Sequence, residues 1–247
     1  MKAIILAGGL GTRLRPLTLI SNKHALPVYS QPMIYYPIEY LKNAGVTNIM
    51  LITGKEHCGS MIGLLGDGTD LGVELTYRVQ SNPDGIAGAL KLCKDWAQGE
   101  NVVVVLGDNL LENGIKSIID TYKTQGEQGG MIAVIEVPDP HRFGVATLDP
   151  TGKVVNLVEK PKEPESNLAV IGVYLYDSDV WSIISTLKPS ARGEYEITDV
   201  NRAYMNKGRL YCTKVEGWWT DAGTIESLYE AGILMHDLRK RRDNGRK

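Results

Sequence analysis

A chain of 247 residues with 43% hydrophobic content and a formal net charge of −2 has the apolar material for one sizeable core and no global basic field that would draw it onto nucleic acid. Cys58, Cys93 and Cys212 lie far apart and form no C-x-x-C pair, which excludes a disulfide framework and a zinc site and leaves three reduced, mostly buried thiols as the expectation. The apolar start is too short for a signal peptide and no window approaches a transmembrane length, so the expectation is a soluble cytoplasmic protein with no membrane partner.

In chain order, a buried strand is predicted at Lys2–Leu6, followed by a glycine-rich loop, Gly8-Gly9-Leu10-Gly11-Thr12-Arg13-Leu14. A helical pattern at Met33–Asn43 leads to strand-like Asn48–Ile52, a helix at Gly59–Leu65, a strand at Leu75–Val79 and a helix at Ile86–Trp96. Val102–Leu106 is apolar on both faces, as a central strand covered by helices should be. A helix at Ile115–Lys123 and a strand at Met131–Val137 complete an alternation that implies βαβ units and a mostly parallel sheet. Past Pro138 the strands Val145–Leu148, Val154–Glu159 and Ala169–Tyr176 are separated by turns, as expected of a partly antiparallel extension of the same sheet. Helices return at Asp179–Leu187, Ile197–Asn206 and Ile225–Leu238, and the basic run Arg239–Lys247 reads as a solvated helix end and frayed tail. The expected fold is α/β: one Rossmann-like domain over residues 1–247 with a mixed, mostly parallel central sheet flanked by helices. Residues 1–137 form its nucleotide half and residues 138–238 its second-substrate half.

A strand that empties into glycines presents bare backbone N–H groups, for which phosphate is the usual ligand, and Arg13 and Lys23 add cations nearby. Two better-known loops are excluded. Leu14 stands where the dinucleotide fingerprint needs its third glycine, and no Gly-Lys-Ser or Gly-Lys-Thr supplies a P-loop. The glycines alone are as consistent with a structural turn. Asp108 taken alone is either a turn residue or a metal ligand, Asp221 either a cap for a helix near Thr224 or a ligand, Gln80 a polar strand end, and Glu159-Lys160-Pro161 an ordinary charged strand end.

Leu6-Ala7-Gly8-Gly9-Leu10-Gly11-Thr12-Arg13-Leu14-Arg15-Pro16-Leu17-Thr18 resembles the signature of the sugar nucleotidyltransferases, and Lys23 with Leu26-Pro27-Val28 resembles that family's lysine segment. The likeness continues through Leu106-Gly107-Asp108-Asn109, Glu159-Lys160-Pro161, Gly193-Glu194-Tyr195-Glu196-Ile197-Thr198-Asp199-Val200-Asn201 and Trp219-Thr220-Asp221-Ala222-Gly223-Thr224, nearly the whole chain. The resemblance implies transfer of a nucleotidyl group from dTTP to glucose-1-phosphate, with uridylyl transfer and a non-catalytic sugar-nucleotide sensor as alternatives. It implies a homo-oligomer. It assigns catalysis to Arg13, Lys23, Asp108 and Asp221, with Mg²⁺ on Asp108 and Asp221. It places the nucleotide on Leu6, Gly8, Gly9, Gly11, Thr12, Arg13, Gln80, Gly85 and Asp108, and the sugar phosphate on Asn109, Gly144, Glu159, Lys160, Val170 and Tyr174. On this reading the amide of Gln80 donates to and accepts from thymine or uracil at once.

The chain departs from the family pattern at His24, where many relatives carry glutamine, and at Phe143, where tyrosine is common. His24 is expected either to titrate near neutral pH or to be an uninvolved surface residue. Thr220 and Ala222 replace commoner neighbours of Asp221. Longer relatives continue beyond the position of Lys247 with helices that help form a regulatory nucleotide site between subunits, so the resemblance leaves feedback control through that site, and the tetramer that goes with it, open for this chain.

Overall fold

The computed structural model describes residues 1–245. Its strands in chain order are β1 (Lys2–Ala7), β2 (Pro27–Val28), β3 (Gln31–Pro32), β4 (Asn48–Gly54), β5 (Glu74–Gln80), β6 (Val102–Leu106), β7 (Asn109–Leu111), β8 (Gly130–Glu136), β9 (Gly144–Leu148), β10 (Val154–Glu159), β11 (Leu168–Tyr176), β12 (Leu210–Lys214) and β13 (Trp219–Asp221). The helices are α1 (Tyr35–Asn43), α2 (Cys58–Leu65), α3 (Ile86–Lys91), α4 (Lys94–Ala97), α5 (Lys116–Thr124), α6 (Val180–Thr186), α7 (Ile197–Asn206) and α8 (Ile225–Asn244).

The nine-stranded sheet runs β10-β9-β11-β6-β1-β4-β5, with β8 paired to β11 and β12 to β8. β6, β1, β4 and β5 are parallel, in a register that sets Ile4 opposite both Met50 and Val104. β11 reverses direction against β6, with Val173 opposite Val105, and begins the antiparallel extension expected past Pro138. Alternation along β1 sends Ala3 and Ile5 to a core under α1, α2 and α5, and Ile4 to a second core under α3, α6 and α7. Val102 to Val105 are fully buried because helices cover both faces, each side chain contributing about 1.5–3 kcal/mol. A third, smaller core of Val28, Met33, Tyr36, Leu110, Ala222, Ala231 and Met235 seats α8 against the β7–β13 ribbon.

Several expectations are corrected. The helix expected over Ile86–Trp96 breaks into α3 and α4, because the Leu92 and Cys93 N–H groups bond three residues back to Ala89 and Leu90 and tighten the turn. The basic C-terminal run is not frayed as far as Asn244. Arg239 donates to Gln31 at 2.9 Å, Arg241 pairs with Glu112 at 2.9 Å and Arg242 reaches the Glu112 carbonyl at 3.2 Å, which carries α8 onward. Arg246 and Lys247 lie outside the described residues. Of the three thiols only Cys93 is buried; Cys58 and Cys212 are half-buried, and all three are free. The short strands β7, β12 and β13 were not anticipated, since their pairing is entirely long-range. Among the described residues no helix is long and apolar enough to cross a membrane.

Asp177, just past β11, joins the antiparallel part to α7. Its carboxylate accepts from the Gly129 N–H at 2.7 Å, the Tyr204 hydroxyl at 2.7 Å and the Arg209 guanidinium at 2.5 Å. Replacing it by Ala strands these donors in a largely buried site, so Asp177→Ala should lower unfolding free energy by about 3 kcal/mol in urea titration. A loss below about 1 kcal/mol would show that the cluster is incidental to folding.

Candidate active site

A cleft of about 430 Å³ opens beyond the carboxyl ends of β1, β4, β5 and β6, where open α/β sheets bind ligands. Leu6, Gly8 and Gly9 from the end of β1 form part of its wall. Gly9 faces Lys23, and Gly8 faces Gln80, whose Oε1 lies 3.3 Å from where a Cβ on Gly8 would sit. Gly11 turns the loop with φ +61°; a Cβ there would be 2.9 Å from Thr18, whose hydroxyl donates to the Gly11 carbonyl at 2.7 Å. Gly11, Thr12 and Arg13 are not part of the cleft wall. Arg13 is exposed, with its guanidinium against Gly223.

Lys23 enters from a short 3-10 turn, Lys23–Ala25, that is pinned from behind. Asn22 donates to the Ala7 carbonyl at 3.0 Å, and its Oδ1 accepts from the His24 N–H at 2.8 Å and from His24 Nδ1 at 2.7 Å. Because Oδ1 can only accept, Nδ1 carries the proton. His24 is 1% exposed, and its ring lies against Gly107, where a Cβ would be 2.7 Å from Cδ2. Both expectations for His24 are therefore corrected: it is neither a surface residue nor a group that titrates near neutrality. Burial, reinforced by the Lys23 charge, lowers its pKa to about 3.

Lys23 Nζ is ion-paired with Asp108 Oδ2. Burial alone would push the Asp108 carboxyl up, but the Lys23 ammonium and hydrogen bonds from Lys23 and Asn109 hold it well below the usual carboxylate range. Asn109 does not face the cleft. It is 2% exposed, its amide donates to Asp108 Oδ1 at 2.9 Å, and its Oδ1 accepts from the Gly172 N–H at 2.8 Å and the Trp219 indole at 2.7 Å. The sugar-phosphate role expected for it is thus corrected to support of Asp108, since its side chain is already committed to that network.

Asp221 arrives on β13, opposite Asn109 on β7, and the Ala222 N–H donates to the Asp108 carbonyl at 3.0 Å. Burial and the nearby Asp108 charge raise the Asp221 carboxyl, and its ion-pair partner Arg142 stands off at 3.8 Å. Among the described residues no cluster of three or more His, Cys, Asp and Glu forms a metal cage. Two neighbouring carboxylates, one paired with Lys23 and the other with its charged form disfavoured, instead fit a hard divalent cation that completes its shell with water and phosphate oxygens.

At the β5 end, both Gln80 N–H groups are already used: Nε2 lies 2.6 Å from Asp84 Oδ1 and 3.2 Å from the Gly85 carbonyl. The amide cannot donate to a base and accept from it at once; only its carbonyl is available, which corrects the sequence reading. Gly85 has φ +95°, and a Cβ would sit 2.6 Å from the Tyr195 carbonyl, so no other residue fits without strain.

Gly144, Glu159, Lys160, Val170 and Tyr174 line the opposite half of the cleft. Glu159 Oε2 accepts from the Thr198 hydroxyl at 2.7 Å, and Lys160 Nζ lies 3.9 Å from Glu159 Oε1. Burial raises the Tyr174 phenol, keeping it neutral. Phe143 packs edge-on to Trp219 at 5.3 Å. Sequence reasoning missed Arg142 and Arg192. Arg192 pairs with Glu196 at 2.8 Å and lies 3.7 Å from Glu159. Its position immediately before the Gly193-Glu194-Tyr195 segment was the available signal.

A family model described as nucleotidyl transferase matches residues 2–237. The low-salt glycan biosynthesis nucleotidyltransferase Agl11 of Haloferax volcanii is 43% identical over 236 residues, which are 95% of this chain and 66% of that protein, so the chain spans just under two thirds of its length. Glucose-1-phosphate thymidylyltransferase of Xanthomonas campestris pv. campestris is 43% identical, covering 97% of this chain and 82% of that protein. A crystal structure of a Bacillus anthracis protein assigned as a glucose-1-phosphate thymidylyltransferase, with sucrose bound, is 50% identical and superposes with a TM-score of 0.91 over 96% of both chains. UDP-glucose pyrophosphorylase complexed with UDP-glucose is 25% identical, with a TM-score of 0.86 over 96% of this chain and 98% of that one.

His24 links pH to stability. Its folded pKa lies below the unfolded value of 6.5, so the unfolded chain binds the extra proton between those limits and stability falls as pH drops below 6.5. Between about pH 7 and pH 5 this group alone should cost about 2 kcal/mol. Urea unfolding of the wild type and His24→Gln at both pH values should show the wild type losing that much more than the variant; parallel losses would refute the assignment.

Proposed function

This chain belongs to the nucleotidyl transferase family, and within it we propose that it transfers a thymidylyl group from dTTP to glucose-1-phosphate, with dTDP-glucose and pyrophosphate as products. The reading is supported by relatives of that name and is carried by one observation: Lys23 and Asp108, remote in sequence, pair in the wall of a cleft whose opposite half is lined by Glu159 and Lys160, and β13 brings Asp221 close to Asp108 from a third segment.

An oxygen of the sugar phosphate attacks the α-phosphorus. A P–O bond forms there, the bond from the α-phosphorus to the bridging oxygen breaks, and its electron pair leaves with pyrophosphate. The nucleophile is already an anion, so the absence of a base–nucleophile pair costs nothing. Charge is the barrier: a phosphomonoester brings about −1.5 to −2. Two unit charges 4 Å apart repel by about 4 kcal/mol at an effective dielectric near 20. Lys23 offsets that charge as a mobile point cation, and Arg13, beside Gly223, offers a planar fork to the outer phosphates. Asp108 and Asp221 are the residues that would hold Mg²⁺, which when bound supplies positive charge to phosphate oxygens. Thr198 fixes one oxygen of Glu159, leaving the other for a sugar hydroxyl, with Lys160 placed for the sugar phosphate.

Pyrophosphate release with glucose-1-phosphate, Mg²⁺ and each nucleoside triphosphate in turn tests this. Turnover with dTTP well above UTP is expected; comparable rates would select a broader uridylyl and thymidylyl transferase, and no release with any triphosphate would reject the reading. Asp108→Asn should cut kcat by about 100-fold or more while leaving the melting temperature near that of the wild type. Millimolar Mg²⁺, at tenfold over its Kd, should stabilise the wild type by about 1.4 kcal/mol. Asp221→Asn should abolish that thermal shift, and a variant that keeps it would remove Asp221 from the ligand set.

A further inference from the structure

We infer that Asp84 is a positioning residue for base selection: by engaging the Gln80 amide nitrogen it turns the Gln80 carbonyl toward the bound base, so the cleft selects a pyrimidine that carries N3–H. The inference rests on the cleft being a nucleotide site, and it names which pyrimidines that site admits.

The geometry leaves the amide one orientation. Gln80 Nε2 has Asp84 Oδ1 at 2.6 Å and the Gly85 carbonyl at 3.2 Å, and both of these groups only accept. Rotating the amide by half a turn would set Oε1 against a carboxylate and a carbonyl, two lone-pair clashes in place of two hydrogen bonds. Oε1 therefore points across the cleft toward Gly8. Thymine and uracil present a donor at N3. Cytosine presents a lone pair there, which would face another lone pair in a partly enclosed site.

The lock is itself held in place. The Asp84 carbonyl accepts from the Tyr195 N–H at 2.7 Å, and Gly85 fits against Tyr195 only because it lacks a Cβ. Gly88 in α3 leaves the space that the Asp84 carboxylate fills: a Cβ on Gly88 would be 2.4 Å from Asp84 Oδ1. The carboxylate is the shorter of the two contacts to Nε2, so removing it leaves the amide held only by the longer bond to Gly85. The amide can then turn to suit either base.

Calorimetric binding of dTTP and dCTP to the full chain with Mg²⁺ present tests this without turnover. The wild type should favour dTTP by about 100-fold. Asp84→Ala should reduce the ratio to about 10-fold or less, by weaker dTTP and tighter dCTP binding together. Gly88→Ala, which adds helix propensity and expels the carboxylate, should do the same by a different route and decides the matter where Asp84→Ala does not fold. Asp84→Asn keeps an acceptor oxygen and should retain most of the preference. A wild type that binds both nucleotides equally, or loosened variants that keep the wild-type ratio or weaken both nucleotides alike, would overturn the role. Selective binding without pyrophosphate release would reject the proposed transfer and leave this inference standing.

Discussion

Asp108, in the cleft wall, and Asp221, on the neighbouring β13, are held close together although the Asp108 charge raises the cost of charging Asp221. Most of the neighbouring architecture offsets that cost. Lys23 neutralises one carboxylate directly, while the Asn109 amide donates to Asp108 and accepts from Gly172 and Trp219. The β7–β13 ribbon then clamps the second carboxylate beside the first, and α8 backs the ribbon with a small apolar core. Added positive charge would stabilise such a pair further, which ties the placement of the C-terminal segment to that of Asp108.

Space has been reserved as carefully as charge. Gly107 admits the buried imidazole of His24, Gly172 lets β11 lie against Leu106 while its N–H reaches Asn109, and Gly88 makes room for the carboxylate of Asp84. In each case an absent Cβ lets a polar group from another segment reach a backbone or side chain it would otherwise miss. The neutral state of His24 belongs to the same scheme, since a second charge beneath Lys23 would compete with it for Asp108.

Much of the fold was legible along the chain because its signals are local. Val102–Leu106 is a run of branched apolar residues that only a doubly covered strand accommodates, and the change of texture past Pro138 marked the antiparallel extension. The break near Cys93 and the strands β7, β12 and β13 were not legible. They arise from turn tightening under burial and from partners distant in sequence. The site was legible in part. Lys23, Asp108, Gln80 and Glu159 lie in the cleft, whereas Arg13 and Asp221 lie outside its wall, Asn109 stands behind it, and of the two further cleft arginines only Arg192, next to the Gly193-Glu194-Tyr195 segment, carried a local cue.

What the amino-acid order determined by itself was the kind of fold and the inventory of glycine-rich, cationic and acidic groups, because apolar periodicity and glycine-rich turns act over a few residues. What only the tertiary structure decided was which atoms of those groups remain available. Gln80 keeps a carbonyl and no donor, Asn109 is turned behind Asp108 with its carbonyl taken by Gly172 and Trp219, and His24 keeps no charge, because hydrogen-bond capacity and solvation are spent among partners that chain folding, rather than chain order, brings together.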